Sequence, residues 1–144
     1  MKTVLQRVLR AAVRVDGRPI AEIGPGAVVF VGIEKGDGPE TVRSAALKTS
    51  KLRMFSDPEG KSNRSLQDVR GQVLVVPQFT LAADLSGGNR PGFETAEKPA
   101  LAEPLVRLYA DTLRGAGLEV REGRFGAHME VELVNDGPVT YLLP

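Results

Sequence analysis

Two short polar segments interrupt runs of apolar and β-branched residues, and they hold the groups best suited to chemistry. They are residues 77–81 (PQFTL) and residues 135–140 (NDGPVT). Natural sequences break the local rules of strand packing in this way mainly at functional or strained sites. Gln78 and Thr80 are two residues apart, so they would lie on one face of a strand. Both segments are therefore candidate parts of an active site.

Thr80 carries a hydroxyl group that could act as a nucleophile, but a threonine hydroxyl needs a base to activate it. The chain has no cysteine and one histidine, His128, which lies at an outward position of an alternating segment. Main-chain N–H groups near Gln78 and Phe79 could instead stabilise a negatively charged oxygen without any side chain. We therefore take Gln78, Phe79 and Thr80 as the catalytic segment and leave open whether Thr80 attacks or only lines a pocket.

The second segment, around Gly137 and Pro138, has two interpretations. Glycine and proline are common in turns, so the simpler interpretation is a hairpin turn between the last two strands. A Gly–Pro bond also adopts the cis form at a cost of only about 0.5–1 kcal/mol. A cis bond would point the two flanking carbonyl oxygens in a shared direction and offer paired acceptors to an ammonium group.

Composition excludes several classes of protein. The 144 residues suffice for one domain, spanning residues 1–144, with a core that needs neither disulfides nor metal. With no cysteine and a single histidine, a zinc site would be built mostly from carboxylates, which is unusual, so we expect no metal and no cofactor. No apolar run approaches the roughly 18 residues of a membrane span, and the N-terminus reads as a strand rather than a signal peptide. A cytoplasmic protein without membrane association is expected.

Charge is unevenly distributed along the chain. The net charge is only +1, which argues against a general nucleic-acid coat, and we expect no DNA partner. Residues 43–64, however, carry six cationic and two anionic side chains. Charge runs are mostly the solvated faces of helices and loops. The alternative is a patch that meets phosphate groups, which adds affinity but little specificity.

Apolar runs predict the strands that must position these segments. Asp16 and Gly17 form a two-residue turn signal, which predicts a hairpin. Residues 27–33 and 72–76 are apolar on both faces, as expected of buried strands. Residues 129–133 alternate, and residues 139–143 would make a separate closing strand.

Two helices are predicted between these strands. Pro39 suits the first position of a helix whose apolar spacing continues to near Phe55. The second helix would hold Pro104 in its first turn, turn Leu105, Leu108 and Thr112 inward, and end at a left-handed Gly115. The fold class is therefore α+β: a single domain with a mostly antiparallel or mixed, barrel-like β-sheet and two helices.

Several separated motifs, in the right order, resemble those of the D-aminoacyl-tRNA deacylases, whose two signature segments read SQFTL and NxGPVT. The likeness runs from Met1 to Tyr141 and includes residues 22–26 (EIGPG) and 88–91 (GNRP). The resemblance implies hydrolysis of the ester that joins a D-amino acid to tRNA, a chiral proofreading step that would also act on glycyl-tRNA. It implies two partners, the aminoacylated 3′ end of tRNA and a second copy of the chain in a homodimer.

The resemblance also implies roles for individual residues. In the family, the cis Gly–Pro bond, here Gly137–Pro138, enters the active site of the partner subunit and excludes L-amino acids. Arg7, which the pattern alone would make a surface arginine, would hold that segment in orientation. Phe125 and Met129, most simply core residues, would line the pocket for the terminal adenosine. The ribose 2′-OH of the tRNA would assist hydrolysis.

One departure from the family pattern concerns Pro77, which stands where the family has serine. Proline at this position resembles a sister group, the animal-type tRNA deacylases, whose Gly–Pro is trans and whose chiral selection is looser. Arg7 and the intact NDGPVT segment favour the D-specific group. Two alternatives therefore remain, a deacylase with relaxed chirality and a non-catalytic tRNA-binding domain.

Overall fold

One long strand, β1 (Lys2–Val15), organises the sheet. In the computed structural model, which describes all 144 residues, β1 pairs antiparallel with β2 (Arg18–Ile23), β3 (Gly26–Gly32) and β8 (Glu130–Leu143). A strand has two edges, and β1 serves three partners because β3 pairs with its first half and β2 with its second half. The hairpin predicted at Asp16 and Gly17 is confirmed as the β1–β2 connection.

The remaining strands make the sheet mixed. β6 (Gln72–Pro77) lies parallel to β3, and β7 (Glu119–Glu122) lies parallel to β6. The strand order is β2-β1-β3-β6-β7, with β8 along the other edge of β1. A separate two-stranded hairpin is formed by β4 (Phe55–Ser56) and β5 (Ser62–Arg64). The predicted α+β class with a mixed, barrel-like sheet is confirmed.

Three helices accompany the sheet, one more than predicted. They are α1 (Pro39–Lys51), α2 (Leu66–Val69) and α3 (Pro99–Gly115). The short α2 has a capping box, in which Ser65 and Asp68 each accept a hydrogen bond from the other's main-chain N–H. None of the helices is long and apolar enough to span a bilayer.

The end of α1 and the start of α3 differ from the predictions. α1 stops at Lys51 because Leu52 is already extended, and Phe55 belongs to β4 rather than to the helix. α3 begins at Pro99, so Pro104 lies in its second turn. This proline is tolerated because it lies on the exposed side of the helix, where the carbonyl that it leaves without a partner can meet water.

The early start of α3 also changes its inward face. The buried side chains are Ala102, Val106, Tyr109, Ala110 and Leu113, whereas Leu105, Leu108 and Thr112, which were predicted to face inward, are only half-buried. The predicted stripe is wrong by about one position, because apolar residues occupy more than one face of this helix. The left-handed residue after the helix is Gly117 (φ +87°), not Gly115.

The sheet is buried on both faces. In β6, Val73 and Val75 join the core beneath α1 and α3, whereas Leu74 and Val76 join a second core enclosed by β1, β2 and β8. β3 divides in the same way. This confirms the prediction that residues 27–33 and 72–76 form strands without a solvent face.

The NDGPVT segment lies inside β8 and is not a turn. Both halves of β8 pair with the same edge of β1, from Glu130 opposite Arg14 to Leu143 opposite Thr3. The register shifts on either side of Val8, and in the first of these shifts four residues of β8 stand opposite Arg7 alone. The extra residues form an enlarged bulge. The hairpin interpretation and the prediction of two separate strands are therefore both wrong.

Candidate active site

An open cavity of about 700 Å³ lies at the carboxyl ends of the parallel strands β3 and β6. Ligands collect at such ends in α/β sheets because the chain diverges there. The walls come from these strand ends, from the first half of α3 and from two connecting segments, residues 93–98 and 125–129. Most of the lining side chains are hydrophobic, with a few polar groups among them, as is usual for small-molecule sites.

The catalytic segment predicted from the sequence borders this cavity. β6 ends at Pro77, and the chain continues into a single 3₁₀ turn, Phe79–Ala82. The expectation that Gln78 and Thr80 share a strand face is wrong because the strand has already ended. The two side chains meet nonetheless, since the Gln78 amide donates a hydrogen bond to the Thr80 hydroxyl. An amide cannot accept a proton from that hydroxyl, so this contact does not activate Thr80 as a nucleophile.

The main chain of this turn offers two free donors. The Gln78 N–H donates to the Val31 carbonyl at 2.8 Å, which fastens the turn to the end of β3. The N–H groups of Phe79 and Thr80 have no acceptor in the chain. The first N–H groups of any helical turn lack an internal partner. The turn therefore leaves two main-chain donors free next to the cavity.

Pro77 does not remove either of these donors. Alternate residues of β6 direct their N–H groups to opposite neighbours, and Gln78 donates towards β3. An N–H at position 77 would therefore face Gly123, just beyond β7, whose own N–H donates to the Val75 carbonyl at 2.9 Å. Proline at this point gives up at most the last ladder hydrogen bond of β6 and leaves the donors of Phe79 and Thr80 in place. Its ring instead forms part of the cavity wall.

Aromatic and thioether side chains form the apolar wall. Phe79 is 57% exposed and contacts Phe93 with ring centroids 5.0 Å apart and planes inclined by 59°. Phe125 and Met129 line the cavity as well, and the Met129 sulfur accepts a hydrogen bond from the Arg124 N–H. The structure thus brings Gln78, Phe79, Phe125 and Met129 to one cavity, with Thr80 beside it.

Positive and titratable groups lie around the apolar wall. Lys35 and Lys98 both line the cavity and form no ion pair. His128 is exposed, as predicted, but it lies on the cavity wall and not away from the site. Across the chain, no three His, Asp or Glu side chains converge to hold a metal ion.

The Gly137–Pro138 segment is not part of this cavity. Its peptide bond is cis, and both residues are exposed where the bulge projects from β8. Gly137 has φ +135°, a conformation that side chains disfavour. A Cβ there would approach the Val139 Cγ2 to 2.7 Å and the Arg7 Nη2 to 3.2 Å. Only glycine fits this position without displacing its neighbours.

Arg7 fixes the base of the projection, and the simple interpretation of a surface arginine is wrong. Its side chain is only 13% exposed. Its Nε donates to the Asp136 carbonyl at 3.0 Å, and its Nη1 donates to the Met54 carbonyl at 2.8 Å. The guanidinium therefore ties the bulge of β8 to the segment between α1 and β4.

Asn135 and Gly32 position the two segments, although sequence reasoning assigned no role of its own to either residue. The Asn135 amide donates to the carbonyls of Arg7 (2.8 Å) and Val139 (3.0 Å), which closes the bulge. A Cβ on Gly32 would lie 2.9 Å from the Gln78 carbonyl oxygen, so the absence of a side chain lets the turn pack on β3. A glycine inside a strand-like run is the signal that could have indicated this close approach.

The amino terminus braces one wall of the cavity. The Met1 ammonium contacts Asp37 at 2.8 Å and Glu34 at 3.0 Å. Burial opposes both charges, but the hydrogen bonds between them prevail, so the pKa of the Met1 amino group is raised and the pKa of Glu34 is lowered. Glu34 also forms a main-chain bridge to Ala96 in the wall segment, which keeps that segment beside β3.

Comparison with known proteins first gives the class of fold and then the family. The fold matches a solved structure titled "Structural Analysis of a probable eukaryotic D-amino acid tRNA deacylase" (TM-score 0.82, 18% identity, 99% of this chain and 97% of that one). A second solved structure, "c-Myc DNA Unwinding Element Binding Protein", matches at TM-score 0.94 and 38% identity over 100% and 98% of the two chains. The family model described as D-Tyr-tRNA(Tyr) deacylase matches residues 4–144. The chain belongs to this family.

Relatives from bacteria agree with the family match. A protein of Syntrophotalea carbinolica is 54% identical over 99% of this chain and 96% of its own length. A protein of Deinococcus radiodurans is 51% identical over 99% of both chains. Both are named D-aminoacyl-tRNA deacylase, which confirms the resemblance inferred from the two motifs.

Proposed function

We propose that the protein hydrolyses the ester bond of D-aminoacyl-tRNA and of glycyl-tRNA, and releases the free amino acid and tRNA. Membership of the deacylase family supports the reaction class. The observation that carries the proposal is the pair of unpartnered N–H groups, those of Phe79 and Thr80, beside an apolar cavity. Because charged tRNA is used in translation, we place the protein in the cytoplasm.

The proposed chemistry depends on the main chain. As water or hydroxide attacks the ester carbon, negative charge develops on the carbonyl oxygen, and the N–H groups of Phe79 and Thr80 would stabilise it. One such donor is worth about 2.7–4 kcal/mol when it is aimed at the transition state. The terminal ribose 2′-OH of the tRNA would assist proton transfer, because the only partner of the Thr80 hydroxyl in the chain is the Gln78 amide.

The Gly137–Pro138 segment would complete the site of a second copy of the chain. The cavity is open, and the segment projects from the same chain without lining it. An isologous two-fold dimer would give each cavity the segment of the other subunit. The main-chain carbonyls at Gly137 and Pro138 would then bind the substrate ammonium group and leave no room for an L side chain. Glycine has no side chain to exclude, so such a site cannot readily reject it.

The test is deacylation of D-Tyr-, L-Tyr- and Gly-tRNA by the purified protein. We expect turnover of the D-tyrosyl and glycyl esters and almost none of the L-tyrosyl ester. Equal rates on the D and L esters would contradict chiral selection while retaining the deacylase. Binding of tRNA without hydrolysis of any ester would instead establish a silent RNA-binding protein.

A deacylase with relaxed chirality is the second candidate, and Pro77 is the residue that favours it. The contacts of Arg7 with the Asp136 and Met54 carbonyls favour the D-specific function, because they hold the selecting segment in one orientation. The ratio of rates on the two tyrosyl esters discriminates between them. Pro77→Ser provides the matched comparison, and an unchanged ratio in this variant would show that Pro77 does not set selectivity.

A further inference from the structure

Four exposed cations that form no ion pair lie close together, between the last turn of α1 and β5. Elsewhere, Arg10 and Arg14 pair with Glu132, Arg107 pairs with Glu103, Arg114 pairs with Asp111 and Glu122, and Arg121 pairs with Glu119. Other arginines are exposed and unpaired as well, namely Arg18, Arg43, Arg70, Arg90 and Arg124, so the patch is distinguished by the proximity of its members. We define the basic patch as Lys48, Lys51, Arg53 and Arg64, all of which are exposed and none of which forms an ion pair. Uncompensated cations of this kind attract phosphate groups.

The fold brings the four side chains of the basic patch to one place. Lys48 and Lys51 lie in the last turn of α1, and Arg53 follows two residues later. The Arg53 Nη1 donates to the Asn63 Oδ1 at 3.2 Å, and Asn63 precedes Arg64 in β5. The lysines also complement the helix dipole. Arg53 and Arg64 lie outside the helix, so the helix dipole does not account for their positions.

The nearby carboxylate of Asp68 does not neutralise the patch. It accepts hydrogen bonds from the Ser65 N–H (2.8 Å) and hydroxyl (2.9 Å), which lower its pKa, and the charges of Arg64 and Arg53 add a smaller effect. The carboxylate is thus committed to capping α2, and neither arginine forms an ion pair with it.

The basic patch adjoins the Gly137–Pro138 segment. Met54 directly follows Arg53, and its carbonyl shares the guanidinium of Arg7 with the carbonyl of Asp136. One planar group therefore joins the base of the projection to the edge of the patch. In the proposed dimer, the Gly137–Pro138 segment enters the cavity of the second subunit, and the basic patch would then lie beside the mouth of that cavity.

We propose that the basic patch binds the sugar–phosphate backbone of the tRNA acceptor stem whose 3′ end occupies the adjoining composite site. The proposal rests on the function and dimer proposed above. A 3′ end reaching an enclosed site brings a closely spaced row of phosphates past its mouth, and flexible lysine and arginine side chains can follow that row. The patch then contributes affinity for the tRNA body and takes no part in the reaction or in chiral selection.

The experiment compares a long and a short substrate, D-Tyr-tRNA and the 3′-D-tyrosyl ester of adenosine. Two patch variants are used, Arg53→Gln/Arg64→Gln and Lys48→Gln/Lys51→Gln, so that a folding defect in one does not decide the outcome. The control is Arg107→Gln/Arg121→Gln, which removes the same charge from arginines that are 68% and 57% exposed and already ion-paired. Each patch pair should raise the KM for tRNA roughly tenfold and lower the salt dependence of binding by about one unit per residue.

The outcomes separate this inference from the proposed function. The KM of the control variant for tRNA should change by no more than about twofold. The KM of the patch variants for the short ester should change as little, since this ester carries no stem phosphates. Patch variants that match the wild type on tRNA would overturn the inference, and so would equal losses on both substrates. If the wild type hydrolyses neither ester, the proposed function fails instead. The affinity of the same variants for uncharged tRNA, measured by fluorescence anisotropy, then still tests the patch.

Discussion

The surroundings of Thr80 argue against a nucleophilic role. Its hydroxyl meets only the Gln78 amide, which is not a base, whereas its N–H is free. The residue therefore offers its main chain and not its side chain. From the sequence alone, the Thr80 hydroxyl is an obvious candidate for a catalytic group. In the structure, the 3₁₀ turn gives Thr80 a different contribution, its free main-chain N–H.

The first prediction concerns Thr80→Ala. We expect this variant to keep activity within about tenfold of the wild type, because the N–H at position 80 remains. Replacing the terminal 2′-OH of D-Tyr-tRNA by hydrogen should lower the rate at least about 100-fold, the usual scale for a lost proton-transfer group. Single-turnover rates measure both. An inactive Thr80→Ala enzyme, with full activity on the 2′-deoxy substrate, would instead establish threonine nucleophilic catalysis.

The second prediction concerns Gly137→Ala. The new Cβ would clash with Val139 and press on the Arg7 guanidinium, in a backbone conformation that costs about 1–3 kcal/mol for a side chain. Turnover should fall at least about tenfold while the fold persists, because the site is exposed. Gly117→Ala is the matched control, with φ +87° and open space around its Cβ. Both variants should lower the melting temperature by similar amounts, but Gly117→Ala should keep normal activity. Equal losses of activity in the two variants would contradict a specific role for Gly137.

At the scale of elements, patterns of local hydrophobicity were sufficient for the strands of the central sheet. β3 and β6 are apolar on both faces, and the turn signal of Asp16 and Gly17 is local, so both features could be predicted from the sequence. The path of β8 could not be predicted, because the bulge is held by side chains far away in sequence. Asn135 and Arg7 make those contacts across 128 residues.

The inward face of α3 shows a second limit of prediction from pattern. Tyr109 is fully buried although its hydroxyl is polar, because the Thr49 hydroxyl of α1 is its hydrogen-bond partner. Burial raises the pKa of the Tyr109 phenol, which stays protonated in the core. A pairing between two helices 60 residues apart leaves no trace in the periodicity of either one.

The third prediction tests this pairing. Tyr109→Phe leaves the buried Thr49 hydroxyl without its partner and should lower the free energy of unfolding by about 1–3 kcal/mol. Thr49→Val should cost a similar amount, since it strands the phenol. The double variant should be more stable than the sum of the two single effects implies, because no polar group is then left unpaired. Urea unfolding measures all three, and strictly additive losses would show that the two hydroxyls do not interact.

At the scale of the whole molecule, the cavity and the projection lie apart on one chain. The family resemblance assigned residues 77–81 and residues 135–140 to one active site shared between two subunits, and within a single chain the two segments do lie apart. Two motifs that belong to one active site are usually expected to lie close together in the folded monomer. Here the two segments would meet only across a symmetry axis, which no pattern along a single sequence encodes.

The fourth prediction concerns assembly. We expect a particle of twice the 15.4 kDa chain mass at micromolar concentration, because in the proposed composite site a second copy would complete each open cavity. Sedimentation velocity measures the mass while deacylation is followed at the same concentrations. Activity should fall together with the dimer fraction on dilution. A fully active 15.4 kDa monomer would contradict the composite site.

The free N–H groups of Phe79 and Thr80 have a consequence for how the gene tolerates change. Amide groups are supplied by every residue except proline, so most codon changes in this turn alter its lining but leave the donors in place. Insertion or deletion of one codon between positions 77 and 80 would instead change where both donors lie relative to the end of β6. The number of residues in the turn, more than the identity of any one of them, is therefore what selection must preserve.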